Sequence, residues 1–140
     1  MATREVVVNS GSGLTQTILT GPHLLHADES VESGGLDRGP SPYELLLAAL
    51  GACTSITLQA YATHKSWPLE QVTVRLEHWK VEATTRNGGD PVDEIKKTVF
   101  LVGDLSTAQR ERLLDVAGKC PVHRTLRKSV RIRTLLGTAS

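Results

Sequence analysis

Apolar and polar positions change their period several times along the chain. Glu5-Val6-Val7-Val8 is a β-branched run, and Asn9-Ser10-Gly11-Ser12-Gly13 is a turn signal. Leu14 to Leu19 alternates apolar and polar residues, Gly21-Pro22 interrupts it, and His23 to Ala27 resumes it. This predicts three short strands. Residues 28–41 are dense in Asp, Ser, Gly and Pro and read as a loop. A helix then runs from Pro42 to about His64 and stops before Trp67-Pro68. Period two returns over 70–84, with Val72, Val74, Leu76 and His78 on one face and Thr73, Arg75, Glu77 and Trp79 on the other. A turn at Asn87–Pro91 leads into Ile95–Val102, which predicts a long hairpin. Ser106 caps a second helix, Thr107 to Gly118, with Leu113, Leu114 and Ala117 facing inward. A short helix follows Cys120, and Val130 to Leu135 alternates as a closing strand. The order implies an α+β fold with mostly antiparallel pairing, in one domain spanning residues 1–140.

The central helix has a legible start. Ser41 suits the N-cap, Pro42 the first helical position, and Glu44 the third, where a capping-box carboxylate belongs. From Leu45 to Ala62 it carries no charge. A helix apolar on nearly all sides is buried in protein or in membrane. Thr54, Ser55, Thr57 and Gln59 interrupt the stretch, Glu44 sits at its mouth, and no second span exists, so protein is the expected surrounding. One small monomer can hardly cover such a helix, which predicts a homodimer with antiparallel sheets around a long buried central helix.

Composition narrows the class. A chain of 140 residues with 39 % hydrophobic residues can build a core without disulfides, although aromatics reach only 4 %. The net charge of +1 argues against nucleic acid as a partner. Met1-Ala2-Thr3-Arg4-Glu5 shows no basic segment followed by an apolar run, so the expected location is cytoplasmic, without membrane association.

Two cysteines carry the candidate chemistry. Cys53 lies mid-helix, with Ala49, Leu50, Ile56 and Thr57 at helical contact spacing. An apolar site disfavours the thiolate, so Cys53 reads either as an inert core thiol or as a reactive one served by a cation from elsewhere. Cys120 precedes Pro121 at a helix start. From Lys119 to Ser140 there are six basic residues and no acidic one. That setting favours a thiolate; a solvated basic surface or a weak phosphate patch fits the same residues. His123 follows Cys120 at a spacing compatible with a metal pair, but only scattered histidines accompany it, so neither metal nor cofactor is expected.

Gly39-Pro40-Ser41-Pro42-Tyr43-Glu44-Leu45-Leu46, Ala49-Leu50-Gly51-Ala52-Cys53 and Cys120-Pro121-Val122-His123 together resemble the OsmC/Ohr family of osmotically induced and organic-hydroperoxide-resistance proteins. The resemblance covers essentially the whole chain. It implies an intertwined homodimer with active sites at the subunit interface. It also implies that Cys53 attacks an organic hydroperoxide as the peroxidatic thiolate and that Cys120 resolves the sulfenic acid to a disulfide. A dithiol reductant such as a lipoylated protein would then regenerate the pair.

The sequence departs from the Ohr pattern twice. Tyr43 stands where that pattern has a glutamate ten residues before the first cysteine. The acid is at Glu44, nine residues away and about 180° around a regular helix, where it reads as a cap. The arginine of the N-terminal hairpin turn is absent between Asn9 and Gly13. Arg38 and Arg124 are candidate substitutes, and Tyr43, Glu44 and His123 are further pocket candidates. Three functions fit: a thiol-dependent peroxidase, a non-catalytic dimer binding a small apolar ligand at its interface, or a hydrolytic or thiol-transfer enzyme with His123 as base.

Overall fold

The structure is a computed structural model that describes residues 4–82 and 92–138. Its elements are β1 (Val7–Ser10), β2 (Gln16–Thr20), β3 (His23–Ala27), a 3-10 turn at Val31–Ser33, α1 (Pro42–Lys65), β4 (Leu69–Val81), β5 (Val92–Gly103), α2 (Thr107–Ala117) and α3 (Pro121–Arg127). Two compact units divide within α1, Met1–Ala48 and Ala49–Ser140.

In the first unit, β1, β2 and β3 form an antiparallel sheet in sequence order. Thr20 pairs with His23 across Gly21-Pro22, and Gly21 takes the positive φ of 54° that this tight turn requires. The first two strands sit about two residues later than their sequence patterns suggest, because ladder pairing rather than β-branching sets the ends. The loop after β3 is organised by Asp28. Its buried carboxylate accepts from Thr15 Oγ1 at 2.8 Å and from the backbone N–H groups of Glu29, Leu36 and Arg38 at 2.8, 3.3 and 3.2 Å. Four donors satisfy a group whose burial would otherwise be costly. Gly39 passes so close to the His26 carbonyl that a Cβ would stand 2.5 Å from its oxygen. At the mouth of α1, Ser41 N–H donates to Glu44 Oε1 at 2.9 Å and Glu44 N–H to Ser41 Oγ at 3.3 Å, a reciprocal capping box.

In the second unit, β4 and β5 form the long antiparallel hairpin, with its turn at 87–91 outside the described residues. Val72 faces Leu101, Val74 faces Val99 and Leu76 faces Lys97, so these pairs share one face of the sheet. α1 and α2 lie on the unit's core, where Leu58, Leu113, Val116 and Ala117 are buried and Tyr61, Trp67, Leu69, Val72, Val99 and Leu101 pack around them. α1 runs close over β4 at Gly51, where a Cβ would meet Leu76 Cδ1 at 2.8 Å. α2 opens on a second capping box, Ser106 with Gln109.

One chain leaves α1 partly uncovered, as its length and apolar content implied, while two other expectations need correction. Leu50, Gly51, Thr54, Leu58 and Ala62 form its buried stripe, while Ile56 remains 69 % exposed. By length and composition α1 could cross a membrane. Leu114 does not face inward; it is exposed and lines a surface groove of about 210 Å³ with Val99, Leu101 and Arg110. The 3.6-residue period places Val116 on the Leu113–Ala117 stripe in its stead. Finally, Val130 to Leu135 forms no strand: it pairs with none of the described strands, although β1, β3, β4 and β5 each keep an open edge. Propensity without a partner does not make a strand. Val130, Ile132, Leu135 and Leu136 are all exposed there.

Replacing fully buried Leu113 by alanine should cost about 2–5 kcal/mol of stability in denaturant unfolding. Leu114→Ala should change it by no more than about 0.5 kcal/mol. Equal losses from the two variants would contradict the helix orientation.

Candidate functional site

The two sulfurs are brought together by elements far apart in sequence. Cys53 projects from the middle of α1, half-buried, and Cys120 is the fully buried N-cap residue of α3. Both are free thiols. The Val122 backbone N–H, in the first turn of α3, donates to Cys53 Sγ at 3.5 Å. Thr54, one residue beyond Cys53 on α1, is completely buried and lies 3.5 Å from Cys120 Sγ.

A cation completes the cluster. Lys97 extends from β5, and its Nζ donates to Ala117 O at 2.7 Å, contacts His123 Nδ1 at 2.9 Å and donates to Thr54 Oγ1 at 3.0 Å. Three acceptors around one nitrogen is the arrangement of an ammonium group. It also fixes the imidazole: Nδ1 accepts, so the His123 ring carries its proton on Nε2. Burial pulls Lys97 below the ordinary lysine pKa, opposed by the negative charge available at Cys120 and Cys53. His123 is pulled below the ordinary histidine value by burial and by the neighbouring charges of Lys97 and Arg127. At Cys120 burial works against ionisation. The Thr54 hydroxyl, the His123 backbone N–H, the Cys53 side chain and the Lys97 charge outweigh it, so the thiol is more acidic than an ordinary cysteine.

The other expected site residues fall elsewhere. Arg124 is an exposed residue of α3 whose backbone N–H bonds the Cys120 carbonyl at 3.0 Å. Arg38 belongs to the Asp28-centred loop of the first unit, where its backbone N–H is used. Tyr43 is exposed in the first turn of α1. Glu44 serves as the cap of that helix, and the Ser41 N–H and hydroxyl hold its carboxyl below the usual carboxylate pKa. His123 spends Nδ1 on Lys97 rather than on a sulfur. Among the described residues, no group of three or more His, Cys, Asp and Glu side chains is arranged to hold a metal ion.

Sequence reasoning missed Lys97 and Thr54. A signal for Lys97 was present: it alternates with Ile95, Val99 and Leu101, so period two places it on the inward face of an apolar strand. A charge on that face needs partners inside.

The family model for OsmC-like protein matches residues 34–134. The chain belongs to the OsmC-like family. The solved structures similar to it have the same fold. An OsmC-like protein of Mycoplasma pneumoniae is 18 % identical, with a TM-score of 0.74 over 90 % of this chain and 88 % of that one. An organic hydroperoxide resistance protein, OsmC, of Legionella pneumophila is 20 % identical, with a TM-score of 0.67 over 91 % and 90 %. The organic hydroperoxide resistance protein OhrB of Bacillus subtilis is 18 % identical, with a TM-score of 0.63 over 90 % and 91 %. No curated protein matches the sequence. Within the OsmC-like fold of this chain, the thiol pair joins the central helix to the short helix α3.

Access separates the two sulfurs. A neutral alkylating reagent applied to the folded protein should label Cys53 first, and Cys120 only after unfolding. Peptide mass spectrometry over time reads the order, and early labelling of Cys120 would contradict its burial.

Proposed function

We propose that this OsmC-like protein is a thiol-dependent peroxidase that reduces organic hydroperoxides in the cytoplasm. One observation carries the reading: Cys53 and Cys120 lie in one cluster with the half-buried Lys97 ammonium, Cys53 Sγ against the Val122 N–H and Cys120 Sγ against the Thr54 hydroxyl that Lys97 holds. Cys53 is the better-exposed sulfur and is the attacking one. Its thiolate displaces an alkoxide from the peroxide, forming an S–O bond as the O–O bond breaks. The alkoxide takes up a proton and leaves as alcohol. Cys120 then attacks the sulfenic sulfur, a disulfide forms, and the hydroxyl group departs as water. Two thiols and one hydroperoxide thus give one disulfide, one alcohol and one water. A dithiol, such as a lipoylated protein, returns the pair to its reduced form by exchange. The similar structures named for organic hydroperoxide resistance support this substrate class.

The working form in this reading is a homodimer. Val7, Val8, Leu24 and Leu25 of the first sheet, Ile56 of α1, and Ile132, Leu135 and Leu136 of the C-terminal segment are all exposed in one chain. So much uncovered apolar surface favours a second copy as its cover.

Reduced protein mixed with cumene hydroperoxide, without other reductants, should lose both free thiols and gain an intramolecular disulfide. Cys53→Ser should keep Cys120 reduced, and Cys120→Ser should stop at a sulfenic acid on Cys53. Thiols that persist at high peroxide would overturn the reading in favour of a non-catalytic dimer that binds an apolar ligand. Analytical ultracentrifugation should find the mass of two 15.1 kDa chains; a monomer at working concentrations would remove the dimer.

A further inference from the structure

The Lys97 ammonium has no N–H left for a sulfur, since all three point at Ala117 O, Thr54 Oγ1 and His123 Nδ1. Its influence on the thiols runs through its charge and through Thr54. The Thr54 hydroxyl accepts from Lys97, so its own proton must go elsewhere. Two acceptors are in reach: the Leu50 carbonyl at 2.8 Å and Cys120 Sγ at 3.5 Å. A neutral thiol is a weak acceptor and leaves the proton on Leu50. A thiolate is a strong one and draws it to sulfur. The hydroxyl is therefore a rotor with two settings, selected by the charge on Cys120. His123 holds the third ammonium proton, which keeps Lys97 pointed at Thr54. The titratable and charged groups bearing on this cluster are Cys53 from α1, Lys97 from β5, and Cys120, His123 and Arg127 in and before α3.

We propose that Lys97, Thr54 and His123 are positioning residues that stabilise the anionic form of Cys120, the buried sulfur, and thereby prepare it to resolve an oxidised Cys53. The resolving step needs a nucleophile at Cys120. Its electron pair forms the S–S bond as the S–O bond of the Cys53 sulfenic acid breaks, and the departing hydroxide takes a proton from solvent. A sulfur already ionised skips a deprotonation that would otherwise have to occur inside the core. The use of this device rests on the peroxidase reading; the placement of charge does not, and it can be measured without peroxide.

The test is the ultraviolet absorbance of the thiolate against pH in a Cys53→Ser background, where one sulfur remains. Lys97→Met should raise the midpoint by about one to three pH units. Thr54→Val should raise it by a smaller amount, and Thr54→Ser should restore it. Valine matches threonine in shape, so a merely structural Thr54 would be served by Val and would not distinguish it from Ser. Far-ultraviolet circular dichroism checks folding, and if Lys97→Met does not fold, the Val and Ser pair decides. A midpoint that Thr54→Val leaves in place, or that Val and Ser shift alike, overturns the proposal. In the two-cysteine protein under peroxide, Thr54→Val should accumulate Cys53 sulfenic acid that the parent does not. If no variant or parent forms sulfenic acid while the midpoints still shift, the peroxidase reading fails and the charge placement stands.

Discussion

One half-buried ammonium group ties the second unit together. Lys97 reaches from β5 to a side chain of α1, a main-chain carbonyl at the end of α2 and an imidazole of α3. A charge drawn partly out of water is tolerated best when its hydrogen bonds are complete. That requirement fixes the spacing of four elements at once. It fixes Thr54, and therefore the face of α1 that carries Cys53 next to it in sequence. It fixes His123, and therefore the turn that presents Cys120 and the Val122 N–H. The apolar core of Leu58, Leu113, Val116 and Ala117 supplies the cohesion. The ammonium supplies the register that sets Cys120 against Thr54 and the first turn of α3 against Cys53.

The local features were legible in the sequence. The capping box at Ser41 and the cap at Ser106 depend on residues close in sequence and formed as the pattern implied, with Gln109 completing a box at the second. The period-two alternation from Val72 to His78 correctly sorted the hairpin's faces. Features decided by distant partners were not. Val130 to Leu135 alternates as well as β4 does, yet a strand needs an edge to pair with, and no local pattern announces one. Leu114 looked as apolar as Leu113, but the sheet lies on one side of α2 only.

The same division holds at the site. Cys53 and Cys120 stood out because thiols are few and their surroundings are distinctive. Lys97 was not conspicuous, because a lysine on a strand reads as a solvated charge until the inward face it shares with Ile95, Val99 and Leu101 is noticed. Glu44 and Arg38 are conspicuous in sequence, but Glu44 is occupied in capping α1 and the Arg38 backbone in bonding Asp28. A motif locates such residues; only geometry assigns their work.

The shape of the Lys97 contacts also limits what could ever replace it. An ammonium group directs three N–H bonds along the corners of a tetrahedron, whereas a guanidinium spreads five donors in a plane. Ala117 O, Thr54 Oγ1 and His123 Nδ1 converge on one point and suit the former. Exchanging lysine for arginine here would keep the charge and lose the fit.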